Sequence, residues 1–240
     1  MPATSEEPPS SIARAAPARA VPLLCSAVPA HDADARATLD AWLGAIPVLE
    51  ARRLSAGTRA RLADSRAVCG ELARVLAGAE PGEGRAAERT LHVASARGRT
   101  QGLCTMFACA GGTFVELLVT APWNLLGPED PGDPRTVRGA GTALVSVASR
   151  WSAARGAGGA VALQAATVRA AAFYERLGFR PMRADDAPLS LVPAGEAGFS
   201  PSVLRLALGR PGPEERESPW MLLEPRRAAR AVRAAGIRAG

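Results

Sequence analysis

The chain has 240 residues, of which 48% are hydrophobic, and its formal net charge of +6 rests on arginine alone, since no lysine occurs. That length can bury a sizeable core, so one domain with tails is expected, and no apolar run approaches the ~18 residues of a membrane-spanning helix. Arginine in an alanine-rich background, without interleaved stacking aromatics, reads as compositional bias rather than a nucleic-acid face.

Residues 1–32 are rich in Pro, Ala, Ser and Arg without helical or strand periodicity, which predicts a mobile leader. Its apolar patch, VPLLCSAV, is too short and badly flanked for a signal peptide. Cys25, Cys69, Cys104 and Cys109 form no C-x-x-C pair, so reduced thiols in a cytoplasmic protein are expected. Two helices follow, in DARATLDAWLGAIPVLEARRL and TRARLADSRAVCGELARVLAG. Leu39, Trp42, Leu43 and Ile46 recur at helical spacing in the first, and Val68, Leu72, Val75 and Leu76 in the second.

AEPGEGRAAE breaks the helical pattern, and the runs TLHVASA, GLCTMFACA and TFVELLVTA follow. Joined by RGRTQ and by Gly111–Gly112, they predict a three-stranded antiparallel meander. PWNLLGPEDPGDPRTV, with four prolines and three acidic residues, predicts a loop without regular structure. A helix is expected in GTALVSVASRWSAARG, where Leu144, Val147, Ala148 and Trp151 form an apolar stripe, then a buried strand in GAVALQAA. The next helix, TVRAAAFYERLG, has Thr167 as N-cap and Gly178 as its left-handed stop. FRPMRA and SVLRLALG read as closing strands, and PRRAARAVRAAGIRAG as a short basic helix.

The stretch RGAGTALV, residues 138–145, places two glycines at the start of a helix. Such an N-terminus presents unpaired N–H groups and a partial positive charge, and glycine lets a bulky anion approach the backbone. The stretch is no P-loop, and Leu144 stands where a dinucleotide fingerprint needs its third glycine. It does match [Q/R]-x-x-G-x-[G/A] at Arg138, Gly141 and Ala143, and downstream AAAFYERLGF, Ala170 to Phe179, matches A-x-x-[F/L]-Y-x-x-x-G-F. Together these motifs resemble those of the GNAT superfamily of acetyl-CoA-dependent N-acetyltransferases, over residues 88–208.

The resemblance implies an α/β (α+β) fold with a mixed, mostly antiparallel central sheet flanked by helices and a V-shaped splay between the fourth and fifth strands. It divides the chain into a leader at 1–32, a GNAT-like domain at 33–209 and a basic tail at 210–240, with VPLLCSAVP as the only candidate for a first strand. It further implies that backbone amides of Arg138, Gly139, Ala140, Gly141, Thr142 and Ala143 hold the pyrophosphate of acetyl-CoA, while Leu118 and Val119 offer backbone groups to the pantetheine arm. Thr167 stands where the family often has an asparagine that contacts that arm. Tyr174, the only tyrosine, would be the general acid, and Glu116 the base if a bulge turns it toward the site; His92 is a weaker candidate. Trp123 and Asn124 would line an acceptor pocket, with Glu129, Asp130 and Asp133 attracting a cationic amine.

The function expected is acetyl transfer to a primary amine of a small molecule or peptide, with no metal, no membrane and no nucleic acid. The alternative is a catalytically silent acyl-CoA sensor or interaction module. A nucleic-acid binder using Arg226, Arg230 and Arg233 on one face of the tail is a third reading, and a solvated face is the default for such residues.

Overall fold

Two capped helices open the fold. The computed structural model describes residues 21–29, 32–78, 89–109, 111–182 and 219–228. Helix α1 (Ala33–Glu50) starts where the Asp32 carboxylate accepts the Ala35 N–H at 2.8 Å, and α2 (Ala56–Ala77) where the Ser55 hydroxyl accepts the Thr58 N–H at 3.2 Å. Their periodic residues face inward, with Leu39, Trp42, Ile46, Leu72 and Leu76 buried and Leu43, Val68 and Val75 half-buried. No helix among the described residues is long and apolar enough to cross a membrane.

Among the described residues the sheet has seven strands: β1 (Leu24–Val28), β2 (Arg89–Ala96), β3 (Arg99–Cys109), β4 (Gly112–Thr120), β5 (Val161–Gln164), β6 (Arg180–Pro181) and β7 (Trp220–Leu223). Their order is β1-β2-β3-β4-β5-β7-β6. Only β4 and β5 run parallel; every other pair is antiparallel, and β2–β3–β4 is the expected meander. Its first hairpin turns at Arg97 and Gly98, with φ of 53° and 68°, the left-handed pair that matches the twist of the flanking strands. Helix α3 (Ala140–Ala154) makes the crossover from β4 to β5, and α4 (Val168–Arg176) follows β5.

The helices form two layers. On one face α1 and α2 pack Leu39, Trp42, Leu72 and Leu76 against Leu91, Leu103 and Val119. On the other, α3 and α4 pack Leu144, Ala148, Ala171 and Tyr174 against Cys104, Met106, Val115 and Leu163. Cys25, Cys69, Cys104 and Cys109 are all free thiols.

Several expectations change. Residues 24–28, inside the stretch read as a mobile leader but also within the first-strand candidate VPLLCSAVP, form edge strand β1, and residues 220–223, in the stretch read as a tail, form β7 between β5 and β6. The sheet therefore crosses both boundaries placed at 32 and 209. The proline-rich loop is not without regular structure: Pro122–Leu125 is a 3-10 turn with proline at its start, where a missing N–H costs nothing. Residues 1–20, AEPGEGRAAE, SVLRLALG and the tail from 229 lie outside the described residues.

Candidate active site

Two β-bulges shape the site. On β3, Gln101 is the extra residue where the ladder steps from Ala94–Gly102 to Ser95–Thr100. On β4, Glu116 is the extra residue between the pairs Thr105–Leu117 and Met106–Val115. The second bulge falls where the β4–β5 ladder ends, since β4 and β5 are paired only from Thr113–Val161 to Val115–Leu163. Past that rung β4 continues to Thr120 while β5 ends at Gln164, so the strands part. A cavity of about 570 Å³ fills the opening, lined by β4 from Val115 to Thr120, one stripe of α2, the start of α3 and the inner face of α4.

Gly139, at φ 98°, is the N-cap of α3, and among the described residues no side chain caps the helix. The Ala143 N–H is bonded to the Gly139 carbonyl at 2.8 Å, and the cavity meets Gly139, Ala140, Gly141 and Thr142. This is the open, electropositive end that a helix offers to an anion. Gly141 is needed for space: a Cβ there would stand 3.2 Å from the Phe173 ring and 3.7 Å from Leu118. Arg138 also lines the cavity, but its guanidinium donates to the Asn124 carbonyl at 2.7 Å and to the Leu126 carbonyl, tying down the preceding loop. Ala143 is buried within α3 and does not line the cavity.

Tyr174 is set by the end of its helix. Gly178, at φ 96°, follows the C-cap Leu177; the Phe179 N–H returns to the Tyr174 carbonyl at 3.1 Å and the Gly178 N–H to the Glu175 carbonyl at 2.9 Å. Those bonds form the Schellman pattern, and its usual apolar contact is here the Tyr174–Phe179 ring pair, 5.4 Å between centroids. Phe173 meets the Tyr174 ring edge-on at 5.1 Å. The phenol borders the cavity, and burial pushes its pKa well above the ordinary range, with Cys104 adding to the shift. At the other end of α4, the Thr167 hydroxyl caps the helix by accepting the Ala170 N–H at 3.2 Å and bonds Asp64 of α2 at 3.4 Å. Asp64 is also paired with Arg169 at 2.7 Å, so one carboxylate ties the two helical layers beside the cleft.

Glu116 lies on the cavity wall, and its carboxylate is held in a fork by Arg89, with Nε and a terminal nitrogen each at 2.8 Å. Arg89 in turn lies 5.1 Å over the Phe107 ring. Leu118 and Val119 line the diverging part of β4, where no β5 residue pairs with them.

Other expected site residues are engaged elsewhere. Trp123 is buried against Trp42, beneath the Arg135 guanidinium, donates to Gln101 and does not line the cavity. Asn124 touches the cavity, yet its amide nitrogen is bonded to Gln101 and its oxygen accepts the Val137 N–H at 2.7 Å. Asp130 accepts the Ser55 N–H at 2.7 Å, the Thr58 hydroxyl at 2.5 Å and the Gly127 N–H at 2.6 Å. Asp133 is bound by Arg135 and Arg52, and neither of these aspartates lines the cavity, nor does exposed Glu129. His92 is buried against Trp151 away from the cleft, and burial lowers its pKa. Sequence reasoning missed Asp64 and the pair Val115–Leu163, which line the cavity, and Arg89, which reaches it only through Glu116. Among the described residues no group of His, Cys, Asp and Glu side chains could hold a metal ion.

No protein-family model matches the chain, and no curated protein matches its sequence. Among solved structures it is similar to an aminoglycoside 6'-acetyltransferase type Ii, at 17% identity and TM-score 0.42, over 84% of this chain and 97% of that one. It is also similar to PaiA N-acetyltransferase from Thermoplasma acidophilum in complex with coenzyme A, at 12% identity and TM-score 0.42, over 84% and 98%. A third similarity is to a putative streptothricin acetyltransferase from Bacillus anthracis str. Ames in complex with acetyl coenzyme A, at 16% identity and TM-score 0.34, over 57% and 62%.

Proposed function

We propose that this chain transfers an acetyl group from acetyl-CoA directly to a primary amine of a small molecule or peptide. The observation that carries the reading is the meeting, on one cleft, of an uncapped helix start with a buried phenol, at the point where β4 and β5 part. The cradle suits a pyrophosphate because the start of α3, from Gly139 to Thr142, opens onto the cavity with small residues that leave its N–H groups approachable. N–H groups from Gly139 to Thr142 receive the phosphates, with the Thr142 hydroxyl beside them, and Arg138 acts by holding the loop in place. Leu118 and Val119 offer backbone groups to the pantetheine arm, with Thr167 at its edge.

When bound, the thioester presents a carbonyl that a neutral amine attacks, and the tetrahedral oxyanion collapses with loss of a thiolate. Tyr174, kept protonated by its burial, donates to the departing sulfur. The proton balance closes because the attacking nitrogen sheds a proton as the amide forms. Glu116 accepts it through a lone pair that its bonds to Arg89 leave open.

A thiol-release assay with acetyl-CoA over a panel of amines tests the reading. Tyr174→Phe is expected to lower kcat about a hundredfold while coenzyme A still binds, and Gly141→Asp to abolish binding in a folded protein. The second reading, a silent acyl-CoA sensor, is favoured by the pairing of each Glu116 oxygen with Arg89. Tight coenzyme A binding without turnover of any amine would select it.

A further inference from the structure

The vertex of the cleft bounds what the acyl group can be. Val115 and Leu163 face each other across the last rung of the β4–β5 ladder, where neighbouring strands stand about 4.8 Å apart. Both line the cavity, as does Tyr174, and they are 2%, 1% and 8% exposed. Cys104 and Met106 of β3 and Leu144 of α3, all fully buried, belong to the same packed cluster. The wall behind the two side chains is therefore packed at interior density and yields little to an added methylene. Beside the rung stands the Glu116–Arg89 pair, a poor neighbour for an apolar chain that turns aside.

We infer that Val115 and Leu163 set the acyl-length limit of the cleft, admitting a two-carbon acyl group and rejecting longer ones. This rests on the reading that the cleft takes an acyl-CoA with its thioester beside Tyr174. An acetyl methyl pointing into the vertex meets the two aliphatic side chains. Each further carbon has to displace one of them, and a pocket that measures one methylene discriminates on the order of 10- to 200-fold. Trimming either side chain opens the vertex without touching the phosphate cradle, which meets the diverging strand farther along, at Leu118.

Calorimetric titration of the full chain with coenzyme A, acetyl-CoA and butanoyl-CoA tests this without any acceptor. The wild type should bind butanoyl-CoA at least tenfold more weakly than acetyl-CoA. Val115→Ala and Leu163→Ala should each narrow that ratio about tenfold with coenzyme A affinity unchanged. Thermal melts of the same samples confirm folding, and Leu163→Val keeps the test open where Leu163→Ala does not fold. A wild type that takes both thioesters equally, or folded variants with the wild-type ratio, would overturn the inference while coenzyme A still binds. Loss of all coenzyme A binding in the wild type would instead overturn the functional reading and the inference with it.

Discussion

Asp130 shows how a single residue supports the cleft without lining it. Its carboxylate draws together the start of α2 and the loop after β4 through Ser55, Thr58 and Gly127. The Ser55 N–H contributes most to holding its pKa down at about 2, and Arg135 does the same for Asp133, also at about 2. Because both folded-state values lie below the ordinary 3.8, both carboxylates contribute stability that is complete above that value and is lost as pH falls through about 2. Urea midpoints should therefore drop between pH 4 and pH 2, and Asp130→Asn should lower the midpoint at pH 6 while flattening that fall. An Asp130→Asn midpoint as steep in pH as the wild type's would show that the carboxylate does not carry the effect.

At the scale of elements, the end of α4 places the phenol. Gly178 adopts a left-handed conformation that lets Phe179 fold back onto Tyr174. An L side chain in that region costs about 1 kcal/mol, so Gly178→Ala should destabilise the chain by about that much in chemical denaturation. It should also lower kcat more than it weakens coenzyme A binding, because the phosphate cradle sits on α3. A variant with unchanged stability would mean that the cap does not hold the helix end. The tie from Asp64 to Arg169 and Thr167 is of a weaker kind: the two ionic side chains are 33% and 47% exposed, and such pairs contribute little in water.

Across the whole molecule, the cleft depends on strands far apart in the chain. β5 is four residues long, and its ladder with β4 covers Val161–Leu163; its other edge is closed by β7, Trp220–Leu223. The vertex residue Leu163 pairs directly with Met221. Ending the chain after residue 218 removes β7 and exposes the edge of β5. The expected result is loss of a cooperative thermal transition by circular dichroism and loss of coenzyme A binding; a truncated chain that melts like the full one would contradict it.

The features readable from sequence are those governed by neighbours along the chain. Helical spacing marked α1 and α2, alternation and turn glycines marked the meander, and a capping threonine with a left-handed glycine bounded α4. The two short motifs around Gly141 and Tyr174 were legible because helix starts and helix ends are built from local backbone rules, whereas their meeting on one cleft belongs to the tertiary structure. Strand β1 was legible only as the one candidate stretch VPLLCSAVP, and β7 was not legible, because each is stabilised by strand partners distant in the chain rather than by a pattern of its own. The direction of Glu116 was not legible either, since a bulge is a mismatch between two strands and belongs to neither alone. Trp123, Asn124, Asp130 and Asp133 looked available as recognition groups in a polar loop. Tertiary structure engages them instead, Trp123 and Asn124 through Gln101 of β3, Asp130 through Ser55 and Thr58 at the start of α2, and Asp133 through Arg52 besides its loop neighbour Arg135, since a buried polar side chain is satisfied by whatever the fold brings to it.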